Sequence, residues 1–211
     1  METEEEIMDV LKQLSKKRSI FHSEADFQHE LAIILREIYS PKYLRLEKPM
    51  SIDEKDKHLD IYIETIDNKR IAIELKYRTK FFHEVIYNEV YSLKNHSATG
   101  SARYSFIKDI SRIEKMRKDR LIDFGYAIIL TNDTAIYKTE KNPSERQKRL
   151  YLMEGKELEG EIGFDIPDDK TKEQIKKQYG EKQFPINLSG TYKIKWLDFS
   201  LYLKCLIVKI A

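Results

Sequence analysis

Apolar residues recur along this chain with two periods. Ile7, Val10, Leu11 and Leu14 share one stripe of a helix spanning 4–17. Phe27, Leu31, Ile34, Leu35 and Ile38 form a second stripe, with Ser23 as N-cap, Glu24 and Asp26 in the first turn and Pro41 beyond the end, which predicts a helix from 24 to 39. The period then changes to two. Leu59, Ile61 and Ile63 alternate with Asp60 and Tyr62, and Ile71, Ile73, Leu75 and Tyr77 alternate with Ala72, Glu74 and Lys76; polar residues 65–70 lie between, so the two runs predict adjacent antiparallel strands. Residues 81–94 mix aromatic and aliphatic side chains, and 95–101, with Gly100, form a polar loop. Phe106, Ile110, Ile113 and Met116 return to helical spacing. The unbroken apolar run 125–130 suits a central strand covered on both faces, with Asn132 and Asp133 turning the chain after it.

From Tyr137 to Gly190 the pattern thins into a polar insertion, either a mobile flap over a polyanion, with Lys138, Lys141, Arg146, Lys148 and Arg149 as its basic part, or a solvated hairpin excursion; Lys170 to Tyr179 is at best a short polar helix. Residues 191–199 and 201–210 resume strand patterning and complete the sheet. The expectation is a single α/β domain over 1–211, a central mixed β-sheet flanked by helices. The first helix either caps its core or pairs with a second subunit in a homodimer.

The charged residues inside apolar strands are the candidates for chemistry. Acid-x-Lys occurs five times, at Asp53/Lys55, Asp67/Lys69, Glu74/Lys76, Glu154/Lys156 and Asp168/Lys170, but only Glu74/Lys76 interrupts a β-branched run. By itself the tripeptide fits a half-buried salt-bridged pair on a solvent-facing strand better than a catalytic site. Asp60, one hairpin away, adds a second carboxylate, and together they can hold a hard divalent cation such as Mg²⁺ or Mn²⁺. Glu24 lies about 35° from the centre of its helix's apolar stripe, against about 85° for Glu30, so it points inward. It is either a first-turn acid favoured by the helix dipole or a further ligand of the metal or its water, with Gln28 one turn on holding the same water shell.

Composition narrows the classes. The 211 residues, 41% of them hydrophobic, suffice for one core. No apolar stretch reaches membrane-spanning length, and the start Met1-Glu2-Thr3-Glu4-Glu5-Glu6 is the opposite of a signal peptide, so a cytoplasmic location without membrane attachment is expected. The single Cys205 excludes an intramolecular disulfide and any multi-cysteine metal cluster. Net charge is only +2, but from Arg103 to Arg120 seven Lys/Arg face three acids. Those cations flank the apolar stripe, where Lys108, Arg112 and Lys115 could meet phosphates or simply form a solvated face.

These residues together resemble the PD-(D/E)xK nuclease superfamily, the restriction-endonuclease-like fold. An acid-bearing helix beginning Ser-Glu-x-x-Phe-Gln (Ser23 to Gln28) is followed by Arg45-Leu46-Glu47, Leu59-Asp60, Ile73-Glu74-Leu75-Lys76-Tyr77 and a helix carrying Arg103-Tyr104 through Glu114. This order is similar to an uncharacterised bacterial branch and covers roughly residues 20–135; Leu59 stands where the family name has proline. The resemblance implies a Mg²⁺- or Mn²⁺-dependent nuclease acting on DNA, with RNA as the other substrate class. Catalysis would fall to Glu24, Asp60, Glu74 and Lys76, with the Leu75 carbonyl as an extra metal ligand. Gln28, Arg103, Lys108, Arg112 and Lys115, with His96 near the loop, would contact nucleic acid. The lone cysteine sets the chain apart from the iron–sulfur nucleases of the superfamily. Two alternatives remain: a non-catalytic nucleic-acid- or partner-binding module of the same fold in a defence or mobile-element system, and an unrelated α/β protein whose charged strands are coincidental.

Overall fold

The computed structural model describes residues 3–52, 55–96, 98–138, 145–164, 169, 172–174, 177 and 185–211. In chain order the elements are α1 (Glu4–Lys17), α2 (Glu24–Tyr39), β1 (Tyr43–Ile52), β2 (Lys55–Glu64), β3 (Arg70–Arg78), β4 (Phe82–Ile86), β5 (Glu89–Leu93), α3 (Thr99–Lys118), β6 (Phe124–Thr131) and α4 (Thr134–Tyr137). A 3-10 turn (Glu145–Leu150), β7 (Glu157–Ile162), β8 (Ile186–Lys193), β9 (Trp196–Asp198) and β10 (Lys204–Ile210) follow. Lys141 and most of the 170–179 stretch lie outside the described residues.

Both expected N-terminal helices form where their caps dictate. Thr3 accepts from Glu6 N–H and donates its own N–H to the Glu6 carboxylate, closing a capping box, and Ser23 Oγ accepts from Asp26 N–H. Ile7, Val10, Leu11 and Leu14 are all buried, so this stripe of α1 goes into the chain's own core. No helix among the described residues is long and apolar enough to cross a membrane.

The central sheet has the order β1-β2-β3-β6-β10-β9, antiparallel throughout except for β3 and β6, which run parallel. A parallel neighbour needs a crossover, and the β4–β5 hairpin and α3 supply it. Strand alternation splits the interior into two layers. Ile71, Ile73, Leu75 and Tyr77 of β3 join Phe124, Tyr126, Ile128 and Leu130 of β6 on the side of α1 and α2. Ala72, Ala127, Ile129, Leu206 and Val208 face α3. Glu74 and Lys76 therefore belong to the α3 side. Leu59 departs from the alternation expected of it: it packs in the α3-side layer while Ile61 and Ile63 pack in the other.

The segment expected to be a polar insertion contributes to the core. β7 and β8 pair as a separate antiparallel hairpin, and Leu158, Ile162, Ile186 and Leu188 are buried with α3. Glu114 of α3 ties the hairpin down by accepting from Ser189 N–H, Gly190 N–H and the Tyr192 hydroxyl. β8 alternates buried Ile186 and Leu188 with exposed positions, a period too short and too sparse to stand out in a polar composition.

α3 lies hard against the sheet at Gly125. A Cβ there would sit 2.6 Å from Ile113 Cγ2 and 2.8 Å from the Ala72 carbonyl oxygen. Gly125→Ala is expected to destabilise the fold by about 1–3 kcal/mol through overpacking. Urea denaturation would measure it, and an unchanged midpoint would mean that α3 is free to move away from the strands it covers.

Candidate active site

The β2–β3 ladder pairs Ile63 with Ile71, Tyr62 with Ala72 and Ile61 with Ile73, so that Asp60 and Glu74 are the next residues on the two strands beyond the last pair. The main-chain pairing ends there. Leu75 N–H donates to Asp60 Oδ2 at 2.6 Å, and two residues on, Tyr77 N–H donates to Glu24 Oε2 at 2.7 Å. Two carboxylates thus take the backbone donors that a continued β2–β3 ladder would have taken, and both are fixed along one edge of β3.

Each is held from behind. Tyr77 OH donates to the Phe21 carbonyl at 2.8 Å, anchoring the turn that starts α2 and with it Glu24. Gln28 is buried, and its Nε2 donates to the Asp60 carbonyl and to Glu47 Oε1, both at 2.7 Å. The β1–β2 register places Glu47 opposite Asp60, and Glu47 adopts φ 49°, a left-handed conformation that costs a non-glycine residue roughly 1–2 kcal/mol. This strain lies in mid-strand, next to a carboxylate diverted from the ladder. Gln28 was expected to touch water or nucleic acid; its amide nitrogen instead positions Asp60.

Glu74 is 1% exposed, under α3. Its Oε2 is ion-paired with Arg112, and Arg112 also meets Asp109 Oδ1 at 3.1 Å. Lys76 Nζ lies 2.8 Å from Asp109 Oδ2 and donates to the Leu75 carbonyl at 2.9 Å. Asp109 is a site residue that sequence reasoning missed, since along the chain it is one of three acids diluting a basic helix. Its signal was present: with Phe106, Ile110 and Ile113 it keeps the spacing of the apolar stripe, the same inward placement that singles out Glu24.

Burial pushes the Glu74 carboxyl well above the usual carboxylate range; Asp109 and Asp60 add to the shift, and Arg112 and Lys76 only oppose it. Asp109 moves up for the same primary reason, against Lys76 and Arg112. Glu24 is raised by desolvation and by Asp60, against Lys76 and the Tyr77 N–H. For Lys76, burial favours the neutral amine, but Asp109, Glu24 and Asp60 outweigh it and the pKa rises, so the side chain is an ammonium.

Among the described residues, no three His, Cys, Asp or Glu side chains already stand as a metal-binding group. The donor set nevertheless fits a hard divalent cation. Asp60 and Glu74 offer carboxylate oxygens, Glu74 Oε1 is buried without a hydrogen-bond partner, and the Leu75 carbonyl is met by an ammonium. Four carboxyl groups, of Glu24, Asp60, Glu74 and Asp109, share the site with the cations Lys76 and Arg112, and a divalent ion would offset the negative charge that their ionisation creates. Glu24 and Lys76 also line a cleft of about 680 Å³ that continues past Arg78, Lys94 and His96.

The basic residues expected to meet nucleic acid divide. Arg103 is fully buried, donating to the Ala135 carbonyl and lying 4.3 Å over the Tyr151 ring, which removes it from any phosphate surface. Arg112 is turned inward as the partner of Glu74 and Asp109. Lys115 pairs with Asp119 at 3.0 Å, and Lys108 is half-buried. The inner face of α3 is the back wall of the site.

No family model, no curated protein and no solved structure matches the chain, so function rests on the geometry of these residues.

A titration tests the electrostatics directly. A carboxyl raised in the folded state stabilises the fold fully below its ordinary value, 4.5 for Glu74, and that contribution is lost as pH rises through the folded value. Relative to wild type, metal-free Glu74→Gln should therefore gain stability steadily as pH climbs from the ordinary glutamate range towards neutrality, read from urea midpoints in EDTA. A constant difference across that window would mean that Glu74 titrates normally.

Proposed function

We propose that this protein is a Mg²⁺- or Mn²⁺-dependent nuclease of the PD-(D/E)xK, restriction-endonuclease-like type that hydrolyses phosphodiester bonds in DNA. The observation that carries the proposal is the convergence of Asp60, Glu74 and Lys76 with Glu24 where β2 leaves β3, with Glu24 and Lys76 lining an open cleft. The chain order supports it: an acid-bearing α2, a β1-β2-β3 meander, a crossover through α3 and a parallel β6 make up the frame that the resemblance calls for.

Asp60, Glu74 and the Leu75 carbonyl would hold the divalent ion, which when bound supplies a more acidic water and neutralises charge on the phosphoryl oxygens. The chain's own groups divide the remaining work. Lys76, paired with Asp109, donates a hydrogen bond to the attacking water or to a phosphoryl oxygen and stabilises negative charge. Glu24, whose pKa is raised towards the range useful for proton transfer and which lines the cleft, accepts the proton that the water loses. Asp109 and Arg112 hold Lys76 and Glu74 in place from α3.

One observation favours a non-catalytic binding module of the same fold: the Arg112 guanidinium is already on Glu74, where a divalent ion would compete with it. Turnover separates the two. Incubated with Mg²⁺ or Mn²⁺, wild type should cut plasmid, linear duplex or single-stranded DNA, with RNA tested in parallel. Lys76→Ala should lower the rate by about 10² or more, the usual contribution of such a group. Mn²⁺ should raise the wild-type melting temperature, and Asp60→Asn should abolish most of that rise. No cleavage of any substrate, whether or not metal shifts the melting temperature, would support the binding module; a Lys76→Ala variant as active as wild type would remove the lysine from the mechanism.

A further inference from the structure

The cleft beyond Glu24 changes sign. Lys76 and Arg78 lie two residues apart on β3 and both line it, together with Lys94 and His96 from the segment after β5 and Ser105 from α3. In a strand, two residues advance about 6.6 Å, a step comparable to that between successive phosphates along a polynucleotide. Glu74, Lys76 and Arg78 thus succeed one another as acid, ammonium and guanidinium on one face of one strand.

The basic end is built rather than incidental. Thr79, buried at the end of β3, fastens the 94–96 segment in place: its hydroxyl donates to the Lys94 carbonyl at 2.8 Å, and its carbonyl accepts from His96 N–H at 2.8 Å. Thr79 N–H also donates to His96 Nδ1 at 3.0 Å. A backbone N–H can only donate, so Nδ1 is the acceptor and the neutral ring carries its proton on Nε2. Arg78 and Lys94 form no ion pair among the described residues, and Arg78 Nε is covered without a hydrogen-bond partner. Burial first, and then the charges of Arg78 and Lys94, hold the His96 pKa below its ordinary value. Glu24, whose carboxylate feels the charge of Arg78, is the one acid in the described lining of this cleft; beyond it stand two cations and an imidazole that keeps one N–H free, a set that calls for an anion.

We infer that Arg78, Lys94 and the His96 Nε2–H form a phosphate subsite, which holds the phosphate neighbouring the one presented to Asp60, Glu74 and Lys76 and so sets the line of a polynucleotide strand through the cleft. Thr79 is its positioning residue. The inference rests on the nuclease reading for the identity of the strand, while the subsite itself can be probed without metal.

The test uses the full chain in EDTA, with a short single-stranded deoxyoligonucleotide read by fluorescence anisotropy and inorganic phosphate read by NMR of the His96 ring. Phosphate should raise the His96 pKa. Arg78→Ala with Lys94→Ala, checked for an unchanged melting temperature, should weaken oligonucleotide binding at least tenfold. It should also flatten the log-log salt dependence by about 0.7 for each phosphate no longer neutralised. His96→Gln, which keeps an N–H donor, should bind better than His96→Ala. Unchanged affinity and slope in the double variant would overturn the subsite, as would a His96 resonance indifferent to phosphate. A response to phosphate with none to the oligonucleotide would overturn the polynucleotide assignment. Subsite failure with cleavage intact leaves the nuclease reading standing; a working subsite in a protein that never cleaves sinks the nuclease reading alone.

Discussion

Where β2 turns away from β3, Leu75 N–H donates to the Asp60 carboxylate at 2.6 Å instead of to a strand carbonyl, and the arrangement of the other charged groups follows from that substitution. With β2 gone from the edge, the next donor, Tyr77 N–H, is met by Glu24, and the start of α2 is thereby tied to the same strand. An edge finished by side chains leaves an opening, and the cleft occupies it. The left-handed Glu47 and the Gln28 bridge stand on the opposite side of Asp60, where they hold the diverging strand. Extending the ladder by one more main-chain pair would release Asp60 from Leu75 and close the opening.

The electrostatic cost falls on α3. Packing it over the sheet takes Glu74 and Asp109 out of water, and two buried carboxylates so close to Asp60 would repel each other without Arg112 and Lys76. Buried ion pairs seldom add net stability compared with apolar residues of the same volume. Glu74 Oε1 still lacks a donor, so the arrangement costs folding free energy, a cost consistent with the proposed binding chemistry. The close approach of Gly125 to Ile113 keeps α3 at the distance these pairs require.

Local periodicity made much of this legible in the sequence. The caps and stripes of α1 and α2, the alternation of β3 and the unbroken run of β6 each depend on neighbours a few residues away. Asp60, Glu74 and Lys76 stood out because a charge inside such a run conflicts with its surroundings. What escaped depends on packing between distant segments. Asp109 and Arg112 read as ordinary members of a charged helix until the face that meets β3 is known, and Arg103, apparently a surface cation, is buried above Tyr151. The β7–β8 hairpin was hidden by a polar composition, since a handful of alternating aliphatic residues is enough to dock it on α3. Leu59 broke its own alternation because the strand is distorted at the very residue that makes the site.

The proposed nuclease requires the oxygens of Asp60 and Glu74 to hold a divalent cation, with Arg112 and Lys76 as counter-ions of the carboxylates until it binds. Anomalous scattering from a crystal soaked in Mn²⁺ tests it most directly. The account predicts a single strong peak within ligand distance of Asp60, Glu74 and the Leu75 carbonyl, with Arg112 drawn back from Glu74 and Lys76 Nζ moved off the Leu75 carbonyl. Saturating Mn²⁺ with no peak there, and Arg112 still seated on Glu74, would contradict it.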